Sequence, residues 1–213
     1  MRRKLGIFLT IAGAAVLIFA IMQYAEHQMN IKKALAEADA LIRQSDREGT
    51  ADKVSASQRG KASSLSDRLA DRKAFKPKPN DIIGMLQIPK LKAELPIIEG
   101  TDEEMLKKGV GHYSTTAFPM DNEQILLSGH RETVFRNFDK LALGDRFVVK
   151  LPYGTFEYEI KSTDIVDKND TSVIRSMGTE ALVVSTCYPF RYVGDAPERY
   201  ILYAYPVEDN KNF

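Results

Sequence analysis

One cysteine, no tryptophan and three histidines in 213 residues narrow the chemistry open to this sequence. With Cys187 alone, no internal disulfide can form, and His27, His112 and His130 are too scattered to build a zinc-type Cys/His cluster around it. An excess of either charge is missing as well: 30 Lys and Arg stand against 29 Asp and Glu, which gives no electrostatic reason to expect a nucleic-acid partner. Internal repeats are absent. What remains is a chain with 44% hydrophobic residues, enough for the core of one domain of ordinary size with extra segments attached.

The first such segment is at the N-terminus. After Arg2, Arg3 and Lys4 the sequence is apolar from Leu5 to Met22, with Thr10 its only polar side chain. As a helix this run is about 27 Å long, close to the hydrocarbon thickness of a bilayer. A cleaved signal peptide would have a shorter apolar core followed by a small-x-small site, and "IMQYAEHQMN" offers none. A buried core helix fits poorly with a run that is apolar on every face and flanked by a basic cluster. The expectation is an uncleaved signal anchor over residues 1–25, with the basic tip cytoplasmic and everything after Met22 outside the cytoplasm.

Residues 26–80 change character, rich in Ala, Lys, Arg, Glu, Asp, Gln and Ser. Ile31, Leu35, Ala38 and Ile42 fall on one helical face, which predicts a solvated amphipathic stalk that loosens around Gly49 and Gly60. Pro77 and Pro79 then forbid helix. From Asp81 to Phe213 short apolar runs alternate with Gly, Pro, Asp and Asn turns: "DIIGMLQIP", "LPIIEG", "QILLSGH", "DRFVVKLPYGTFEYEI", "ALVVSTC" and "RYILYAYPV". The Pro-Tyr-Gly-Thr stretch reads as a hairpin turn, and only "TDEEMLKKGVG" and "SVIRSMG" suggest short helices. The pattern predicts a mainly β domain of antiparallel strands closed into a barrel or sandwich.

Cys187 ends the apolar run "ALVVSTC". A lone cysteine is commonly a packing residue, so a catalytic reading needs companions: a group that favours the thiolate and donors for an oxyanion. His27 lies beside the anchor and His112 follows a glycine-flanked turn, whereas His130 ends an apolar run after Ser-Gly, at the kind of strand mouth where function concentrates. Arg191, in the loop after the thiol, and Arg199, opening the next apolar run, are the candidate cations.

Taken together, "LLSGHRETVF", "VVSTCYPF" and "APERYILYAYP" resemble the His, Thr-Cys and Arg signature of the sortases, membrane-anchored cysteine transpeptidases of Gram-positive bacteria. The similarity runs from Asp81 to Val207 and is greatest to class D, known from Bacillus-like organisms. One departure stands out: where the family commonly has Thr-Leu-x-Thr-Cys, this chain has Val183-Val184-Ser185-Thr186-Cys187. That change falls inside a strand and weakens subclass assignment from the motif alone.

The resemblance implies a closed eight-stranded sortase barrel and a division of labour. Cys187 would attack the carbonyl after threonine in an LPxT[GA]-type sorting signal, His130 would shuttle the proton, and Arg199 would hold the oxyanion or the substrate backbone. Thr186, Tyr188 and Arg191 would contact the bound peptide. No metal or cofactor is needed, because the thioester itself drives amide formation with an amine of the peptidoglycan precursor (lipid II). Two other cysteine families order their residues differently: L,D-transpeptidases place a histidine two residues before the thiol, where Ser185 stands here, and papain-like peptidases place cysteine before histidine. A non-catalytic anchored β domain that binds wall polymer or a partner protein is the alternative from another class.

Overall fold

Burial alternation decides where this chain pairs. In "RFVVKL" every second side chain is buried, and Leu151 meets Gly154 across a two-residue Pro152–Tyr153 turn, the hairpin read from the sequence. The computed structural model describes residues 2–51, 65–192 and 194–207. Within them eight strands form: β1 (Ile82–Ile88), β2 (Ala93–Glu99), β3 (Val110–His112), β4 (Gln124–Gly129), β5 (Arg146–Leu151), β6 (Gly154–Asp167), β7 (Ala181–Tyr188) and β8 (Glu198–Pro206). They close into a barrel in the order β1-β2-β3-β4-β7-β8-β6-β5. Closure leaves no exposed sheet edge.

Two joints depart from the antiparallel expectation: β2 runs parallel to β3 and β4 parallel to β7. Parallel neighbours need crossovers. The first carries the short helix α3 (Glu103–Leu106), and the second carries the β5–β6 hairpin. "SVIRSMG" forms turns rather than a helix. Its backbone groups are already engaged elsewhere: Gln124 receives a hydrogen bond from Arg175 N and donates one to Val173 O.

Inside the barrel, Phe135, Phe138, Phe147 and Tyr158 are fully buried, with Ile and Leu residues from the strands filling the space around them. A smaller cluster lies on the outer face, where Leu126, Val183, Ile201 and Tyr203 are covered by Val173, Ile174 and Met177 of the β6–β7 loop. This second cluster breaks the usual polar-out rule of a half-buried sheet. It marks a face of the barrel that the β6–β7 loop builds up.

The described parts of residues 26–80 are docked on the barrel. The helix α1 (Arg2–Ala51) runs unbroken from the apolar segment, and its second half lies against β1 and β2. Ala34 and Ala38 are buried and Ile31 packs on the main core, so the face at 31, 34, 35 and 38 docks on protein rather than water. Small alanines allow that close approach. Of the two glycines expected to loosen the helix, Gly49 lies within it and Gly60 falls outside the described residues. The helix α2 (Leu65–Ala74) docks too: Arg68 sits over the Phe156 ring at 5.2 Å, Arg72 over Phe118 at 4.8 Å, and Arg72 pairs with Asp121. Among the described residues the first half of α1 packs on no other part of the chain. Residues from Ile7 to Tyr24 are exposed on every face, and by length and composition this helix can cross a membrane.

Candidate active site

Three adjacent strands, β4, β7 and β8, present a lattice of outward side chains. Period two assigns the faces: Ile125, Leu127, Leu182, Val184, Leu202 and Ala204 enter the main core, so Leu126, Val183, Ile201 and Tyr203 point out. Register then aligns them in rows. Leu126 faces Val183, which faces Tyr203; Ser128 faces Ser185, which faces Ile201. One step further along, Cys187 faces Arg199, and His130 follows Gly129, whose partner is Thr186. The third row is therefore His130, Cys187 and Arg199, brought to one end of the lattice from three separate parts of the chain.

Those three side chains line a groove of about 340 Å³ with an apolar floor that includes Leu126, Val166, Val173, Ile174 and Ile201. A larger cleft of about 770 Å³ between α1 and the barrel is lined by none of them. Cys187 is half-buried and its sulfur is free. The His130 side chain is 29% exposed, with Nε2 at 3.6 Å from Oε2 of Glu103 on α3. Arg199 Nη1 donates to the carbonyls of Ala196 (3.3 Å) and Glu198 (3.0 Å), which fixes the base of the guanidinium against its own strand. A half-exposed thiol, an imidazole and a permanent cation are the components of nucleophilic acyl transfer.

Gly129 sets the position of His130. A Cβ there would lie 2.5 Å from the Phe135 ring and 2.7 Å from Val134, so only glycine lets the turn after β4 fold back onto the strand. That turn is closed by Phe135 N donating to His130 O at 3.1 Å.

Of the remaining expected residues, Thr186 also lines the groove, whereas Tyr188 and Arg191 do not. Thr186 is 2% exposed and its hydroxyl donates to Gly129 O at 2.8 Å, tying β7 to the end of β4 from the inner face. Tyr188 turns to the same inner side, where its ring is 6.2 Å from Tyr200 and 5.4 Å from Phe190. Arg191 is exposed in the β7–β8 loop. His27 lies in α1 with its side chain outside the described residues. His112 is sealed within the protein, its Nδ1 at 2.7 Å from Glu99 Oε2, its Nε2 at 3.0 Å from Ala117 O, and its ring stacked on Phe118 at 4.2 Å.

Sequence reading missed the residues that hold the walls. Gln124 is 3% exposed and pins Val173 and Arg175. Its neighbour Glu123 accepts from Ser176 Oγ at 2.5 Å and Met177 N at 3.2 Å. These bonds favour the ionised form and hold the Glu123 carboxyl below its ordinary 4.5, the Ser176 hydroxyl contributing most. At the other end of β4, Arg131 is 4% exposed and binds the β7–β8 loop. Lys168, at the end of β6, pairs with Asp195 and so links the two loops. Hydrogen bonds spanning about 50 residues leave no local trace in a sequence; the only available signal was that polar residues cap both ends of an apolar strand.

Comparison with known proteins identifies the family. A family model described as the sortase domain matches residues 86–207. The chain is 41% identical to Sortase D of Bacillus subtilis (strain 168) over 204 residues, covering 95% of this chain and 98% of that one. It is 31% identical to Sortase SrtE1 of Streptomyces coelicolor over 151 residues, 60% of this chain and 42% of that one. Among solved structures, the catalytic domain of B. anthracis SrtD superposes with a TM-score of 0.54 at 39% identity, covering 62% of this chain and 92% of that one. A Clostridium perfringens Sortase D5 transpeptidase superposes with a TM-score of 0.63 at 24% identity, over 84% and 99% of the two chains, a likeness of fold.

Proposed function

The chain belongs to the sortase family of cysteine transpeptidases, and from that footing we propose that Cys187 is its nucleophile, His130 its proton carrier and Arg199 its oxyanion partner. The supporting observation is the third row of the lattice, in which Cys187 faces Arg199 in register and His130 extends the strand paired through Gly129 and Thr186.

The reaction follows from those positions. An LPxT[GA]-type sorting signal lies in the groove with its apolar residues on Leu126, Val173, Ile174 and Ile201. The Cys187 thiolate attacks the threonine carbonyl, and the negative charge that develops on oxygen is met by the Arg199 guanidinium, whose planar donors and fixed charge suit the task. Collapse breaks the C–N bond, and His130 gives its proton to the departing amine of glycine or alanine. The enzyme now carries a thioester. An incoming amine of the cell-wall precursor loses a proton to His130, attacks the thioester and releases the thiolate, so one amide is exchanged for another without an external energy source. Orientation of the amine in a partly closed groove favours it over water.

The same reading gives α1 the role of an uncleaved anchor. Its exposed apolar half spans the membrane with Arg2, Arg3 and Lys4 on the cytoplasmic side, and its docked half carries the barrel on the outer surface. The sequence-level division at residues 25 and 80 is replaced in this proposal by an anchor that is structurally continuous with the catalytic unit.

Full-length protein in detergent, incubated with LPNTA and LPETG peptides and examined by intact mass, tests the proposal. The expected result is a mass increase equal to the peptide fragment ending in threonine, absent in Cys187→Ala and removed by an added amine. A folded protein that forms no adduct with either peptide overturns it.

A further inference from the structure

The residue after His130 is buried, charged and bound to a loop on the far side of the nucleophile. Arg131 Nη1 donates to Pro189 O at 2.9 Å, and Nη2 donates to Tyr192 O at 2.8 Å and Gly194 O at 3.1 Å. Nε donates to Glu132 Oε1 at 2.6 Å, and the Tyr192 ring lies 5.8 Å from the guanidinium carbon. The Arg131 side chain is 3% exposed, whereas that of Glu132 is 61% exposed. A buried cation whose carboxylate partner is solvent-exposed is costly unless its donors are satisfied by good geometry. Here the compensation comes from three carbonyls of one loop. A guanidinium can satisfy them together because its five N–H groups lie in a rigid fork.

The described residues of that loop, 189–192 and 194–197, form no strand or helix. The loop begins one residue after Tyr188, which adjoins Cys187, and it ends where β8 starts with Glu198 and Arg199. Among the described residues no other side chain donates to the carbonyls of 189–194. Arg131 is thus covalently joined to one member of the reactive row and hydrogen-bonded to the loop that connects the other two.

We propose that Arg131 is a positioning residue for transpeptidation, a clamp that holds the β7–β8 loop and thereby fixes the spacing of His130, Cys187 and Arg199. The proposal rests on the assignment of those three residues above. Because neither Arg191 nor Tyr192 lines the groove, the clamp acts on the chemical step and not on peptide affinity. Misplacement of reacting groups by about 1 Å costs on the order of 100-fold in rate.

The test uses full-length wild type, Arg131→Lys and Arg131→Ala in single-turnover acylation by LPNTA peptide. In Arg131→Lys the charge remains but one ammonium cannot span three carbonyls. The acylation rate at saturating peptide is expected to fall about 10- to 100-fold with the half-saturating concentration unchanged within about threefold. Amides of 189–197 should exchange faster in the same variant while those of β4 and β7 keep their protection. Arg131→Ala should lose more, and low-millimolar guanidinium ion should restore part of its rate. An unchanged acylation rate overturns the proposal, as does a rise in half-saturation alone or a uniform loss of protection through the barrel. Should wild type form no peptide adduct, the assignment of the nucleophile has failed. The clamp is then judged by loop exchange and by iodoacetamide alkylation of Cys187, which need no peptide; an unchanged value of both in Arg131→Lys overturns it.

Discussion

His112 and His130 sit at the ends of neighbouring strands, both after glycine, both near a glutamate, and they have opposite fates. The His112 side chain is 1% exposed against a Glu99 side chain that is 6% exposed. The corresponding figures for His130 and Glu103 are 29% and 67%. The cause is strand direction and face. His112 pairs with Leu127 in the antiparallel β3–β4 ladder, and its ring is closed in by Ala117, Thr116 and Phe118. His130 lies one residue beyond β4 in the outward row, with a groove before it. An imidazole with every polar atom committed stabilises a fold. One with an open side can move a proton.

The sharpest way to break this contrast is to remove each ring in turn. His130→Ala should lower acylation of the full-length enzyme by about 1000-fold, the scale of a lost general acid–base group, while thermal unfolding stays within a few degrees of wild type. His112→Ala should do the reverse. It leaves the Glu99 carboxyl buried without its partner, a loss of about 3 kcal/mol in chemical denaturation on the scale of a broken buried pair, and the protein that remains folded should acylate at nearly the wild-type rate. A folded His112→Ala enzyme with a 1000-fold lower rate would erase the distinction.

Arg199→Lys asks whether the cation in the reactive row is a charge or a geometry. A point charge on a flexible stem cannot reproduce the planar donors, and the expected loss is about 100-fold in the acylation rate, comparable to removal of one oxyanion donor. An enzyme within threefold of wild type would reduce Arg199 to general electrostatics.

Acid offers a smaller and more local perturbation, on the opposite wall of the groove. The Glu123 carboxyl titrates below its ordinary 4.5 in the folded protein because Ser176 and the Met177 and Gln124 amides favour its ionised form. A group whose folded pKa is depressed contributes stability that is present above the unfolded value and lost as pH falls through the folded one. Protection factors of the Arg175 and Met177 amides should therefore fall below about pH 4.5 before those of β4 or β7 do. Glu123→Gln should show low protection at neutral pH and little further change in acid. If strands and loop lose protection together, the loop has no separate hold.

The strands were legible because their signals are local, while barrel closure and the grouping of His130, Cys187 and Arg199 were legible only through the resemblance to the sortases. Short β runs with turn residues between them identify strands, and "SGH", "STC" and "PERY" each stand at a strand end where alternation aims a side chain outward. Alternation also carried information that went unused. If Cys187 faces out, Tyr188 faces in, so its place among Tyr200 and Phe190 follows from period two alone. The docking of α1 was half visible: Ile31, Leu35 and Ala38 mark an apolar face, but nothing in a helix names its partner, and the buried Ala34 carries little hydrophobic signal. Arg131 and Gln124 were not legible at all. Their acceptors and donors lie 49 to 63 residues away, and a polar residue beside a strand looks the same in sequence whether it is solvated or serves as a clamp.

The smallest expected effect tests the exposed half of the comparison most directly. Glu103 stands 3.6 Å from His130 Nε2, yet its side chain is 67% exposed at the start of a four-residue helix. Pairs in such surroundings contribute between about 0 and 1 kcal/mol, because solvent screens the attraction and ordering two side chains offsets it. Glu103→Gln should accordingly change the acylation rate by less than about fivefold. Added salt should shrink the difference between the two proteins. A much larger loss, insensitive to salt, would mean that peptide binding buries this pair and that the open histidine becomes as enclosed as His112 in the complex. The contrast between the two rings would then belong to the free enzyme, and exclusion of water by the bound peptide would be part of how the thioester is protected until an amine arrives.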